Sequence, residues 1–84
     1  MFKKNNLYKN ANYILDIQGL QCPTTIMMIR KKTLRIKKHE TLLIITDDLL
    51  VNTDIKNFCY FMNYNIIYKK IYNIPPYLFL IKKL

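Results

Sequence analysis

Hydrophobic positions along the chain switch repeatedly between strand-like and helix-like spacing, and each switch marks an element. Residues 12 to 18, Asn-Tyr-Ile-Leu-Asp-Ile-Gln, gather β-branched and aromatic side chains in a short run that stops at Gly19, which predicts a strand ending in a turn. From Pro23 to about Lys38 the pattern changes: Ile26, Ile29, Thr33 and Ile36 fall on one stripe at 100° per residue, with Lys31, Arg35 and Lys38 on the opposite arc. That is an amphipathic helix with a basic outer face. The near-continuous apolar run Thr41 to Thr46 predicts a buried central strand, and Asp47-Asp48 after it suit the positive end of a following helix as capping residues. Across 49 to 63, Val51, Ile55, Phe58, Cys59 and Met62 share one helical face. Two further β-rich runs, 64 to 72 and 77 to 83, flank the turn signal Asn73-Ile74-Pro75-Pro76.

The resulting order is βαβαββ, an α/β two-layer sandwich with two helices packed on one face of a four-stranded mixed sheet. At 84 residues there is room for one domain with one modest core, expected over 12–84 behind a flexible tail of residues 1–11. The longest apolar runs, Ile26 to Ile29 and Leu42 to Ile45, are core-sized and far short of the ~20 residues that cross a bilayer. The tail is basic but has neither an apolar signal core nor the Arg and Ser of a transit peptide, so a cytoplasmic, reducing setting is expected. The formal net charge of +9 implies attraction to something acidic, with nucleic acid, an acidic protein and plain solubility all compatible.

Candidate chemistry rests on the two cysteines. Gly19 is the only glycine, placed where a strand turns into a helix and a positive φ is needed, and Pro23 suits a helix's first turn. Cys22 therefore lies at a helix N-terminus, where free N–H groups and the dipole favour a thiolate; the same spacing also fits an inert small residue filling the turn. Lowering a thiol pKa from ~8.5 to ~7 takes ~2 kcal/mol and raises the thiolate fraction near neutral pH to about a half. Cys59 falls on the apolar stripe between Ile55 and Met62 and reads as core. Met27 and Met28 read as core packing, and His39, the lone histidine, as a solvated turn residue. With no CxxC and no ligand-spaced histidine, a metal site is not expected.

The stretch Asp16-Ile17-Gln18-Gly19-Leu20-Gln21-Cys22-Pro23, followed by Met27-Met28-Ile29-Arg30-Lys31, resembles the signature of the TusA family of sulfur-transfer proteins. The likeness continues through Glu40 to Ile45, Asp47-Asp48, Thr53-Asp54-Ile55, Phe58-Cys59 and Pro76-Tyr77. It departs at Thr25, where the family's Cys-Pro-x-Pro has its second proline, and at His39, a turn position often filled by glycine. The resemblance implies that Cys22 accepts sulfur as a persulfide from a cysteine desulfurase. Downstream sulfur-relay proteins would then carry it toward 2-thiolation of the tRNA wobble uridine, with tRNA met only indirectly. It further implies that Gly19 shapes the carrier loop, Pro23 starts the helix, and Arg30 and Lys31 dock acidic partners. No cofactor, metal or membrane is implied, and the free protein is expected to be a monomer. Two other readings stay open: a relative feeding sulfur or selenium to another pathway, and a basic RNA-binding module without chemistry. The second is disfavoured because no strand carries an RNP-like Lys/Arg-Gly-Phe motif.

Overall fold

The computed structural model describes residues 11–20, 24–71 and 75–84. Its elements run β1 (Tyr13–Asp16), α1 (Thr24–Thr33), β2 (Thr41–Thr46), α2 (Val51–Met62), β3 (Tyr64–Lys70) and β4 (Tyr77–Lys83). The expected βαβαββ order and mixed four-stranded sheet are present, with strand order β1-β2-β4-β3. β1 pairs parallel with β2, whereas β4 pairs antiparallel with both β2 and β3. A crossover through α1 makes the parallel pair possible, and β2's unbroken apolar run fits its central place.

Alternation along the strands divides the core in two. Leu15, Leu42, Ile44, Phe79 and Ile81 point to the helix-bearing face and pack with Ile29, Ile36, Val51, Ile55, Phe58 and Cys59. Leu43, Ile45, Leu78 and Leu80 form a separate buried cluster on the other face. The two ends of the β1–β2 pair are fastened differently. At its start Asn12 and Thr41 exchange bonds, the Thr41 N–H donating to Asn12 Oδ1 at 2.9 Å and the Asn12 N–H to Thr41 Oγ1 at 3.1 Å. Beyond Asp16 the ladder runs on by one bond, Ile17 N–H to the Ile45 carbonyl at 2.8 Å.

Several expectations shift. α1 stops at Thr33 rather than near Lys38. The next residues close three-residue turns, with Arg35 N–H on the Lys32 carbonyl and Ile36 N–H on that of Thr33. Carbonyls that helix continuation would have used are taken by other groups: the Thr33 hydroxyl donates to Arg30, the Tyr64 hydroxyl to Thr33, and Lys83 Nζ to Ile36. The tighter turns still bring Ile36 inward, so the periodic stripe outlasts the helix. The first strand is shorter than 12–18, α2 shorter than 49–63 and β3 shorter than 64–72. α2 ends at Asn63 in the left-handed conformation, its N–H bonded to the Cys59 carbonyl, a helix stop that asparagine tolerates. Met62, placed on the core stripe by its spacing, is 50% exposed at the frayed last turn, and Met27, expected in the core, is 64% exposed. Part of the predicted 73–76 turn and the tail before Ala11 lie outside the described residues. Among the described residues no helix is long and apolar enough to cross a membrane.

Candidate functional site

Because β1 and β2 are parallel, both end at one edge of the sheet, and both strand-to-helix loops emerge there side by side. Open α/β sheets gather their sites at this carboxyl edge, since neighbouring loops and helix N-termini converge on it. The first loop turns at once: the Leu20 N–H donates to the Ile17 carbonyl at 3.2 Å, with Gly19 as third residue of the turn at φ +84°. That φ is the reason for the chain's single glycine, because a Cβ added there would meet nothing within 4 Å. Asp16 holds the turn from below, its Oδ1 accepting both the Gln18 N–H and the Gln18 side-chain amide at 3.1 Å.

The second loop reaches across to the first. Asp47 Oδ1 accepts the Gly19 N–H at 3.1 Å, fixing the glycine turn to the end of β2. Asp47 and Asp48 therefore divide the work that spacing gave them jointly as helix caps. Asp48 Oδ1 accepts the Leu50 N–H at 3.0 Å and its carbonyl accepts the Val51 N–H at 3.1 Å, closing the turn that leads into α2. Leu50, the residue at the helix cap, makes no side-chain capping bond, and the acid in the first turn is Asp54.

Of the site residues predicted from sequence, Cys22 and Pro23 lie outside the described residues, whereas Gly19, Arg30 and Lys31 lie within them. The frame on either side of the cysteine is well anchored. Leu20 packs against the main core, and α1 begins at Thr24, with Thr25 fully buried in its first turn. The Thr25 hydroxyl has no hydrogen-bond partner among the described residues. The other thiol, Cys59, is buried on α2, and burial pushes its pKa up to about 11, so it stays protonated at neutral pH. No group of His, Cys, Asp or Glu among the described residues is arranged to hold a metal ion.

Arg30 and Lys31 are exposed on α1, ~9–10 Å along the helix from its start at 1.5 Å per residue. Arg30 borders two depressions. One lies between the helices, over Ile26, Phe58, Phe61 and Met62, and the other on the outer side of α1, over Met27, Met28 and Leu34, with Lys31 on its rim. Cations above apolar floors suit a partner that offers acidic and apolar side chains together. Sequence reasoning missed Asp47 as the loop's tie and Phe61, 77% exposed, as part of this surface. The signal was available for Phe61 and Leu34, which are large apolar residues off the buried stripe; for Asp47 none was, because its partner is a backbone N–H distant in sequence.

The chain was compared with known families. The family model described as Sulfurtransferase TusA matches residues 13–83. That span takes in every strand and helix, both strand-to-helix loops and the Cys-Pro pair. The chain belongs to the TusA family of sulfur carriers.

Proposed function

We propose that this protein carries sulfur as a persulfide on Cys22, receiving it from a cysteine desulfurase and passing it to relay proteins that serve 2-thiolation of the tRNA wobble uridine. The observation that carries the reading is the family match across 13–83, which includes Cys22 and Pro23. The start of α1 at Thr24 adds a physical reason. Two Cα–Cα steps of ~3.8 Å keep Cys22 within ~8 Å of the helix's first residue, where unpaired N–H groups and the helix dipole favour an anion. Cys59, buried and protonated, is no competitor for the role.

In the loading step the Cys22 thiolate attacks the outer sulfur of the desulfurase persulfide; one S–S bond forms, one breaks, and the desulfurase cysteine departs as thiolate. Onward transfer repeats the step with a relay cysteine as nucleophile, returning Cys22 to thiolate. No oxidant or cofactor is consumed. Gly19 keeps the carrier turn in shape, Pro23 opens the helix, and Arg30 with Lys31 meets acidic groups of the partners over the apolar floor of Met27, Met28 and Leu34. Reconstitution of desulfurase, relay proteins and tRNA tests the pathway: 2-thiouridine should form only when this protein is added. Formation at the same rate without it would refute the assignment to tRNA thiolation.

A further inference from the structure

The helices cover one face of the sheet, yet the other face is buried too. On the helix-free side Leu43 pairs with Leu80 and Ile45 with Leu78 across β2 and β4, and Leu43 and Leu78 are 0% exposed. Flanking strands alone do not account for this. Ile14, on the same face in register with Leu43, is 40% exposed at the edge strand, which is the condition of an apolar side chain without a second layer. Among the described residues only Ala11 and Tyr68 pack on the cluster, and one methyl group with one strand tyrosine is a small roof for four large side chains.

Ala11 shows where the rest of the roof comes from. Tyr13 and Leu15 pack with the helix-side core, so a strand continued backwards would turn residue 11 the same way. Ala11 instead packs on the helix-free cluster. The chain therefore enters β1 from above this face.

We infer that residues 1–10 fold back over the helix-free face and cover Leu43, Ile45, Leu78 and Leu80, making the N-terminal segment a third layer of the domain instead of a free tail. Length permits it: ten residues reach up to ~33 Å when extended, against ~14 Å across four strands. Composition fits it as well. Met1, Phe2, Leu7 and Tyr8 supply apolar cover, while Lys3, Lys4 and Lys9 have long stems that lie along apolar surface and end in water. An uncovered cluster of this kind would otherwise offer a sheet surface for association.

Methyl NOE spectroscopy on the full-length protein tests the cover and does not depend on Cys22. Methyl groups of Leu43, Ile45, Leu78 and Leu80 should show NOEs to side chains within residues 1–10. The same NOEs should vanish in an isotope-filtered experiment on mixed labelled and unlabelled protein. Filtered NOEs would mean that a second copy covers the face, and NOEs to neither would leave it without the proposed roof; either result overturns the inference. As a second measurement, Leu7→Asp with Tyr8→Asp in the full chain should lower Tm by about 5–10 °C and raise binding of an apolar dye several-fold. An unchanged Tm and dye response would also overturn it.

Discussion

Gly19 and Asp47 are 28 residues apart in sequence, and a single hydrogen bond of 3.1 Å from the backbone N–H of one to the carboxylate of the other ties the two loops at the sheet's carboxyl edge together. The glycine turn immediately precedes the proposed carrier cysteine, so its orientation is set partly by a residue from the next strand. Asp47→Ala removes the acceptor. Because the bond is exposed, the variant should lose only ~0.5–1.5 kcal/mol of stability, while Cys22 loading by a desulfurase slows several-fold as the loop samples more conformations. Asp47→Asn, which keeps an acceptor, should recover most of the rate. Equal loading in wild type and Asp47→Ala, measured by single-turnover kinetics, would remove Asp47 from the site.

The buried thiol gives a pH signature. Cys59 is raised from an ordinary 9.0 to about 11, so the unfolded chain gives up this proton before the folded one does. Folding stability contributed by the protonated thiol is therefore complete below pH 9 and lost progressively between 9 and 11, by at most ~2–3 kcal/mol and less where solvent screens it. Tyr64, also raised by burial, adds a loss of the same sign. Denaturant melts of wild type and Cys59→Ala across that window should separate the two: the variant is less stable at pH 7 and falls less steeply toward pH 11. Parallel curves would contradict a buried, protonated Cys59.

Thr25 is a buried polar residue whose hydroxyl is unsatisfied, and such a group costs ~1–3 kcal/mol. Thr25→Val keeps the shape and removes the hydroxyl, so it should raise stability by about 1 kcal/mol, read as a Tm increase of about 4–8 °C for a domain of this size. A loss of stability would show that the hydroxyl has a partner in the native protein.

Most of the fold was legible because periodicity is written in apolar spacing, and β2 and β4 came out at their observed limits. The misplaced end of α1 shows what periodicity lacks. Thr33, Tyr64 and Lys83 intercept the carbonyls of the last turn, and two of those three residues arrive from the far end of the chain. His39 read as a bland turn residue, yet it adopts φ 72° with its N–H on the Lys83 carbonyl, the left-handed geometry that explains why glycine is frequent there in the family it resembles. The exposure of Met27 and Phe61 was hidden because an apolar residue type argues for the core wherever it stands.

Charge on α1 should act on partners and not on folding. Arg30→Glu with Lys31→Glu alters two exposed side chains, so Tm should move by no more than a degree or two. Sulfur uptake from a desulfurase, or onward transfer, should slow about tenfold or more at low salt and less at 0.15 M, where the Debye length is ~8 Å. Rates equal to wild type at every salt concentration would show that these cations dock nothing.

The central claim is that Cys22 is the atom that carries sulfur, and peptide-resolved mass spectrometry after incubation with a desulfurase and cysteine tests it most directly. The account predicts one added sulfur atom on the peptide containing Cys22, none on the peptide containing Cys59, and no loading of a folded Cys22→Ser variant. Sulfur on Cys59, or undiminished loading of Cys22→Ser, would contradict it.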